Sequence, residues 1–208
     1  MRRKNTSLIF IISLMSLLQI NIKAQEKFHI SPQISNLQIR DICQDSLGYI
    51  WFATARGVNR YNGYEYVQLF RNASNPQASI QSNRINRLHL DRQNNLWIST
   101  SRGLSRYDMT KDRIIPYNID KDDEYYADDI SEDKQGNIWI ATYNNGILKY
   151  DRKKDHLDRF PITYRGEETP LYVRTLFIDK QNNLWIGYSA GSALGRYNID
   201  DQTSELIS

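Results

Sequence analysis

The sequence predicts an all-β chain of β-propeller architecture, and three regularities carry that prediction. The four tryptophans, Trp51, Trp97, Trp139 and Trp185, stand 46, 42 and 46 residues apart, the period of four-stranded propeller blades rather than of a shorter solenoid repeat. Six positions before each is an aspartate (Asp45, Asp91, Asp133, Asp179), and six or seven after it a glycine (Gly57, Gly103, Gly146, Gly191). A tyrosine follows ten to twelve positions after each tryptophan: Tyr61, Tyr107, Tyr150 and Tyr197.

Within the first unit the strands follow from pattern. An alternating stretch around Ile39 and Ile42 runs into the turn Asp45-Ser46-Leu47-Gly48, and Tyr49 to Ala53 makes a second strand. Thr54 to Gly57 turns the chain, Val58 to Tyr61 makes a third strand, Asn62-Gly63 is a two-residue hairpin signal, and Tyr64 to Phe70 makes a fourth. The second strand of each unit is a continuous apolar run, as in Ile50-Trp51-Phe52, Leu96-Trp97-Ile98, Ile138-Trp139-Ile140 and Leu184-Trp185-Ile186. A strand with one wet face alternates, so these runs predict burial on both faces, each sheet packed between neighbours. Blades are expected near residues 37–70, 83–117, 126–160 and 171–208. In each, the aspartate caps its own turn and the glycine supplies backbone angles that a β-carbon would strain.

The ends of the array are predicted to be costly. An open arc of four blades exposes two sheet faces. At roughly 500 Å² of apolar surface each and about 25 cal/mol per Å², the lost burial is on the order of 25 kcal/mol, more than stabilises a typical domain. The expectation is a chain that closes on itself, pairs with something, self-associates, or is one part of a longer product, the last being favoured.

Residues 1–24 form a different segment. Arg2, Arg3 and Lys4 precede the apolar run Leu8 to Leu18, and Ala24 ends the stretch, the order of a secretory signal peptide. The whole chain of 208 residues has 27 basic against 24 acidic residues; removing the leader removes four basic residues and leaves one net negative charge. A nucleic-acid partner is therefore not expected. The predicted location is exported and periplasmic, with no further membrane span. Cys43 is the single cysteine, so no internal disulfide forms.

With these residues in place, the motif D-x-x-G-x-x-W-x-x-T-x-x-G followed by an apolar residue and a tyrosine resembles the two-component regulator propeller repeat, found in the periplasmic sensor parts of Bacteroidetes hybrid histidine kinases. The opening QISNLQIRDICQDSLGYIWFATARGVNRYNGYEYVQLF is similar to the way such sensors begin. The resemblance implies a seven-bladed propeller, a ligand-sensing role, and downstream parts that include a kinase. This sequence departs from the family in having four repeats and no kinase histidine box, ATP lid or receiver aspartate site.

No catalytic set is legible. His29, His89 and His156 lack metal-ligand spacing, neither a metal nor a cofactor is expected, and the acidic run Asp122-Asp123-Glu124 reads as a solvated loop. Propellers bind ligands at the mouth of their axis, where the innermost strands begin. Eleven positions before each tryptophan, at that predicted point, stand Arg40, Asn86, Asp128 and Arg174; the loops after the second strands add Arg56, Arg102, Tyr143, Asn144 and Tyr188. Planar donors, amides and aromatics of this kind suit sugar hydroxyls and uronate carboxylates. The expected function is thus recognition of an oligosaccharide by a non-enzymatic sensor. A free exported lectin-like module is the alternative, and a streptogramin-lyase-like propeller enzyme a more distant one.

Overall fold

The structure is a computed structural model that describes residues 33–119, 125–164, 167–168, 172–189 and 194–207. The leader, Gly191 and the acidic run 122–124 lie outside the described residues. Four antiparallel four-stranded sheets dominate. The first contains β1 (Ile39–Gln44), β2 (Ile50–Thr54), β3 (Gly57–Tyr61) and β4 (Tyr66–Leu69), followed by a single 3-10 turn at Pro76–Ala78. The second contains β5 (Ile85–Leu90), β6 (Asn95–Thr100), β7 (Gly103–Asp108) and β8 (Arg113–Tyr117). The third contains β9 (Ala127–Glu132), β10 (Ile138–Thr142), β11 (Gly146–Asp151) and β12 (His156–Arg159). After a two-stranded hairpin, β13 (Thr163–Tyr164) with β14 (Glu167–Glu168), the fourth contains β15 (Val173–Ile178), β16 (Asn183–Tyr188), β17 (Leu194–Asn198) and β18 (Thr203–Ile207). Strand order in every sheet is sequence order, the meander of a propeller blade.

The innermost strands β1, β5, β9 and β15 pack side by side and define the axis. Burial along the second strands reports the stacking. β10 is buried at every position and β6 at all but its first, on both faces. In β2 only Ile50 and Phe52 are partly exposed, and in β16 only Trp185 and Gly187. By register, Ile50 and Phe52 lie on the face of the first sheet turned away from the second, and Trp185 and Gly187 on the face of the fourth turned away from the third. Ile42 (57% exposed) and Phe177 (62% exposed) share those outward faces. Among the described residues the four blades therefore form an arc with one apolar sheet face open at each end.

Each tryptophan points toward the following blade. Trp51, Trp97 and Trp139 are 1%, 0% and 0% exposed, and their rings meet Tyr107, Tyr150 and Tyr197 of the next sheet at 5.3, 4.7 and 6.4 Å between centroids. The aspartate six positions earlier does more than cap its turn. Asp133 accepts from the Asn137 amide at 2.8 Å and from the Trp139 indole Nε1 at 2.9 Å. The same indole bond recurs at 2.8 Å from Trp51 to Asp45, 2.9 Å from Trp97 to Asp91 and 2.8 Å from Trp185 to Asp179. A buried indole N–H needs an acceptor, and the turn carboxylate supplies it. Gly57 follows the second strand at φ 102°, where a β-carbon would fall 2.7 Å from the Leu69 carbonyl oxygen.

A cation stands across from each tryptophan in register: Arg60, Arg106, Lys149 and Arg196. In the second seam it forms a clasp. Arg106 donates to the Tyr150 hydroxyl at 2.8 Å and pairs with Asp155 at 3.4 Å, and Tyr117 and Tyr150 each donate to Asp155 at 2.5 Å. The first seam has the shorter version Arg60, Tyr107 and Asp112. In the third seam Lys149, Phe160 and Gln202 occupy the corresponding places. There Lys149 overlies the rings of Trp139 and Phe160, at 4.8 and 5.9 Å from their centres.

Candidate ligand-binding site

The four residues eleven positions before the tryptophans share one backbone feature. In each innermost strand the ladder skips a residue. Ile39 pairs with Thr54 and Asp41 with Ala53, leaving Arg40 between them as the extra residue of a bulge. The skip falls likewise on Asn86, on Asp128 and on Arg174. A bulge bends its strand and re-aims the unpaired side chain. Here it does so four times at equivalent positions, and all four side chains line one polar hollow of about 340 Å³ together with Arg84, Arg87 and Tyr126.

The ring is knit across blades. Arg40 donates to the Asn86 side-chain oxygen at 3.0 Å and to the Ile85 carbonyl at 3.3 Å, and Asn86 donates onward to the Ala127 carbonyl at 2.7 Å. Arg174 pairs with Asp128 at 3.1 Å. Burial raises Asp128 above the usual carboxylate value, against the opposing pull of Arg174. The acid one position later in two of the strands is spent on the seams: Asp41 accepts from the Leu88 amide at 2.9 Å, and Asp129 from the Leu176 amide at 3.0 Å and from the Thr175 hydroxyl at 2.6 Å. Arg87 reaches Asp129 at 3.6 Å.

The loop residues divide. Tyr143 is exposed and stands in an aromatic ladder, 6.4 Å from Tyr126 and 5.1 Å from Tyr172. Asn144, also exposed, accepts from the Tyr126 amide at 3.5 Å. Arg56 and Arg102 are exposed on their loops but do not line the hollow. Tyr188 departs from the expectation of a mouth residue. It ends β16 in phase with Leu184 and Ile186, so strand alternation turns it into the seam with the third blade, where it is buried at 3.2 Å from the Tyr164 hydroxyl. Tyr126 and Arg84 line the hollow and Tyr172 stands beside it in the ladder, and none of the three follows from the count back from tryptophan. Each stands two positions before a bulged residue, and that shared offset is the signal that could have found them.

Comparison with known proteins identifies the repeats. The two component regulator propeller family matches residues 33–56, 79–102, 121–144 and 168–190. No curated protein matches the sequence significantly. Among solved structures, the extracellular domain of the one component system BT4673 from B. thetaiotaomicron superimposes with a TM-score of 0.68 at 22% identity, over 84% of this chain and 26% of that one. The extracellular domain of the hybrid two component system BT3049 from the same organism gives 0.62 at 22%, over 86% and 31%. Virginiamycin B lyase from Staphylococcus aureus gives 0.61 at 16%, over 82% and 55%. The chain thus spans about a quarter to a third of the two signalling domains, and at these identities the likeness establishes the fold. Family match, blade topology and the fourfold latch of aspartate and tryptophan agree: the chain belongs to the two-component regulator propeller family, of which it carries four repeats.

Proposed function

We propose that this chain is the ligand-sensing propeller portion of a hybrid two-component receptor, exported to the periplasm, and that its ligand is an oligosaccharide bound at the axial mouth. The observation that carries the reading is the repeated bulge. Four independent strands each give up a ladder position to aim a polar side chain into one hollow beside an exposed tyrosine ladder. The bonds that knit the ring account for part of this arrangement, and a site that must present planar hydrogen-bonding groups accounts for all four side chains facing one hollow. Exposed aromatic faces next to amide and guanidinium donors are the parts that recognise sugar rings and their hydroxyls.

Occupancy would be felt between blades. The ring bonds run from one blade to the next, so a ligand that engages Arg40, Asn86 or Arg174 biases the packing of adjacent sheets, a shift that the rest of a receptor, kinase included, can read. A seven-bladed ring completed by further repeats fits the open sheet faces at either end of the arc. A lyase-type activity has the fold likeness in its favour, but a histidine-to-alanine variant of that lyase is named as catalytically inactive. The described histidines here, His89 in a seam and His156 on an outer strand, do not line the hollow.

The test is binding of the purified chain to a panel of oligosaccharides from polysaccharide breakdown, by wild type and by the double variant Arg40→Ala/Arg174→Ala, with thermal melts to verify that both are folded. Loss of the wild-type interactions in the variant is expected. Unchanged binding by a folded variant would overturn the axial site.

A further inference from the structure

Among the described residues, charge around the hollow is not balanced: four guanidiniums, Arg40, Arg84, Arg87 and Arg174, line it against one carboxylate, Asp128. Two of the four are matched, Arg174 by Asp128 and Arg87 by Asp129 behind it. Arg40 is held by neutral acceptors, the Asn86 amide oxygen and the Ile85 carbonyl, and forms no ion pair among the described residues. Arg84 is exposed; no close hydrogen bond joins its guanidinium to a described residue, and it acts through space on Asp128, the acid that Arg174 already engages. The neighbouring acids that could have neutralised them are turned into the seams, where Asp41 and Asp129 accept backbone amides.

Extending the reading of this hollow as a saccharide site, on which it rests, we infer that the site takes the acidic end of an oligosaccharide: a uronate carboxylate held between Arg40 and Arg84, with the following sugar rings laid along Tyr126, Tyr143 and Tyr172. Guanidinium presents a planar fork that fits a carboxylate with two parallel bonds, and a pair of forks at one wall, neither bonded to a described carboxylate, selects an anion over a neutral hydroxyl cluster. The tyrosine ladder runs on from the hollow. Tyr126 lines its wall, Tyr143 stands 6.4 Å from it, and Tyr172 a further 5.1 Å on, with Tyr143 and Tyr172 each 45% exposed. A volume of 340 Å³ accommodates a terminal sugar rather than a chain, so the remaining rings must lie outside on that ladder. The site is thereby directional: charge is read at one end, and length on the aromatic surface.

The experiment probes the full chain against a printed array of uronate-containing and neutral oligosaccharides matched for length, with a sulfated set beside them, and titrates monomeric glucuronate in solution. Uronate-ended oligosaccharides should be retained and neutral ones not, with binding that weakens as ionic strength rises. Arg84→Ala, which breaks no side-chain hydrogen bond among described residues, should lower that affinity about tenfold, equivalent to about 1.4 kcal/mol. Arg84→Lys should restore part of it. Tyr143→Ala should weaken the oligosaccharides and leave glucuronate unaffected.

Retention of neutral oligosaccharides with Arg84→Ala as good as wild type would overturn the acidic class and leave the saccharide reading standing. Preference for sulfated over uronate ends would overturn the carboxylate assignment alone. Glucuronate bound as tightly as every oligosaccharide, with no effect of Tyr143→Ala, would overturn the ladder and with it the oligosaccharide reading. Binding to none of these probes would overturn both.

Discussion

Replacing Asp133 by alanine should cost far more than the same change at Asp179, although both open the same turn. Asp133 is fully buried and accepts from the Asn137 amide at 2.8 Å, the Asn137 side chain at 2.7 Å and the Trp139 indole at 2.9 Å. Hydrogen bonds to a charged acceptor contribute about 1.5–3 kcal/mol each, and a donor stranded in a dry interior costs about 1–3 kcal/mol. Asn137 is partly exposed and can turn to water, but Trp139 is 0% exposed and, among the described residues, its N–H donates to Asp133 alone. The loss at Asp133 should therefore be about 3–5 kcal/mol, a large share of a typical domain's stability. At Asp179 the donors are equivalent, yet Trp185 lies on the open face of the fourth blade, where water replaces the carboxylate; the cost there should be less than half as great. Urea unfolding followed by far-ultraviolet circular dichroism measures both. A double-mutant cycle of Asp133→Ala with Trp139→Phe, which keeps an aromatic ring but removes the N–H, isolates the indole bond. Equal losses at the two positions, or a coupling near zero, would refute the latch.

Other consequences are sharper in pH and reactivity. Burial lowers His89 below the ordinary imidazole value even against the pull of Glu132, 3.6 Å away. The unfolded chain then takes up a proton that the folded chain refuses, so stability should fall as pH drops below about 6.5, and His89→Gln should flatten that slope in melts between pH 7 and 5. At Asp179 burial alone would raise the carboxyl, but hydrogen bonds from Asn183, the Trp185 indole and Gln181 bring it down to about 2. Its stabilising contribution should be complete above the usual carboxylate value and disappear as pH falls from there to about 2, so Asp179→Asn and wild type should converge in acid titrations. Cys43 is pushed up to about 12, first by burial and then by Asp41 and Asp45; at pH 8 the native thiol should alkylate about a thousandfold more slowly than in denaturant. Removing the cation of the second seam, Arg106→Met, should cost about 2–3 kcal/mol in urea unfolding, whereas Lys149→Met, which loses its position over the Trp139 and Phe160 rings, should cost under about 1 kcal/mol.

The fold was legible because its signal is periodic. Four tryptophans in register with four aspartates require one repeated sheet, and continuous apolar runs such as Ile138-Trp139-Ile140 require neighbours on both sides, which the full burial of β10 bears out. The indole bond was not legible. A six-residue spacing predicts a capped turn, and only the folded sheet brings the carboxylate back over the ring it precedes. The site was half legible. Counting back from tryptophan reached Arg40, Asn86, Asp128 and Arg174, but a bulge leaves no mark in composition, since one skipped pairing differs from regular alternation by a single residue. Tyr188 shows the opposite limit: a tyrosine near a predicted loop looks like a binding residue until strand parity assigns it to the interior. Tyr126 and Tyr172 went unnoticed because they stand before their strands, in loops whose course sequence spacing does not determine.

The seams also bear on how such an array can grow. Every blade carries its socket, tryptophan with a cross-strand cation, on the side facing its successor, and in the three later blades the plug, a tyrosine, on the side facing its predecessor. Tyr61 holds the corresponding place in the first blade, unengaged by any described predecessor. Because plug and socket are both encoded within a single unit, duplicating that unit creates a workable joint with no compensating change elsewhere. Blade number is then a variable that tandem copying can adjust, while divergence at the bulged positions alters what the axis recognises without touching the joints.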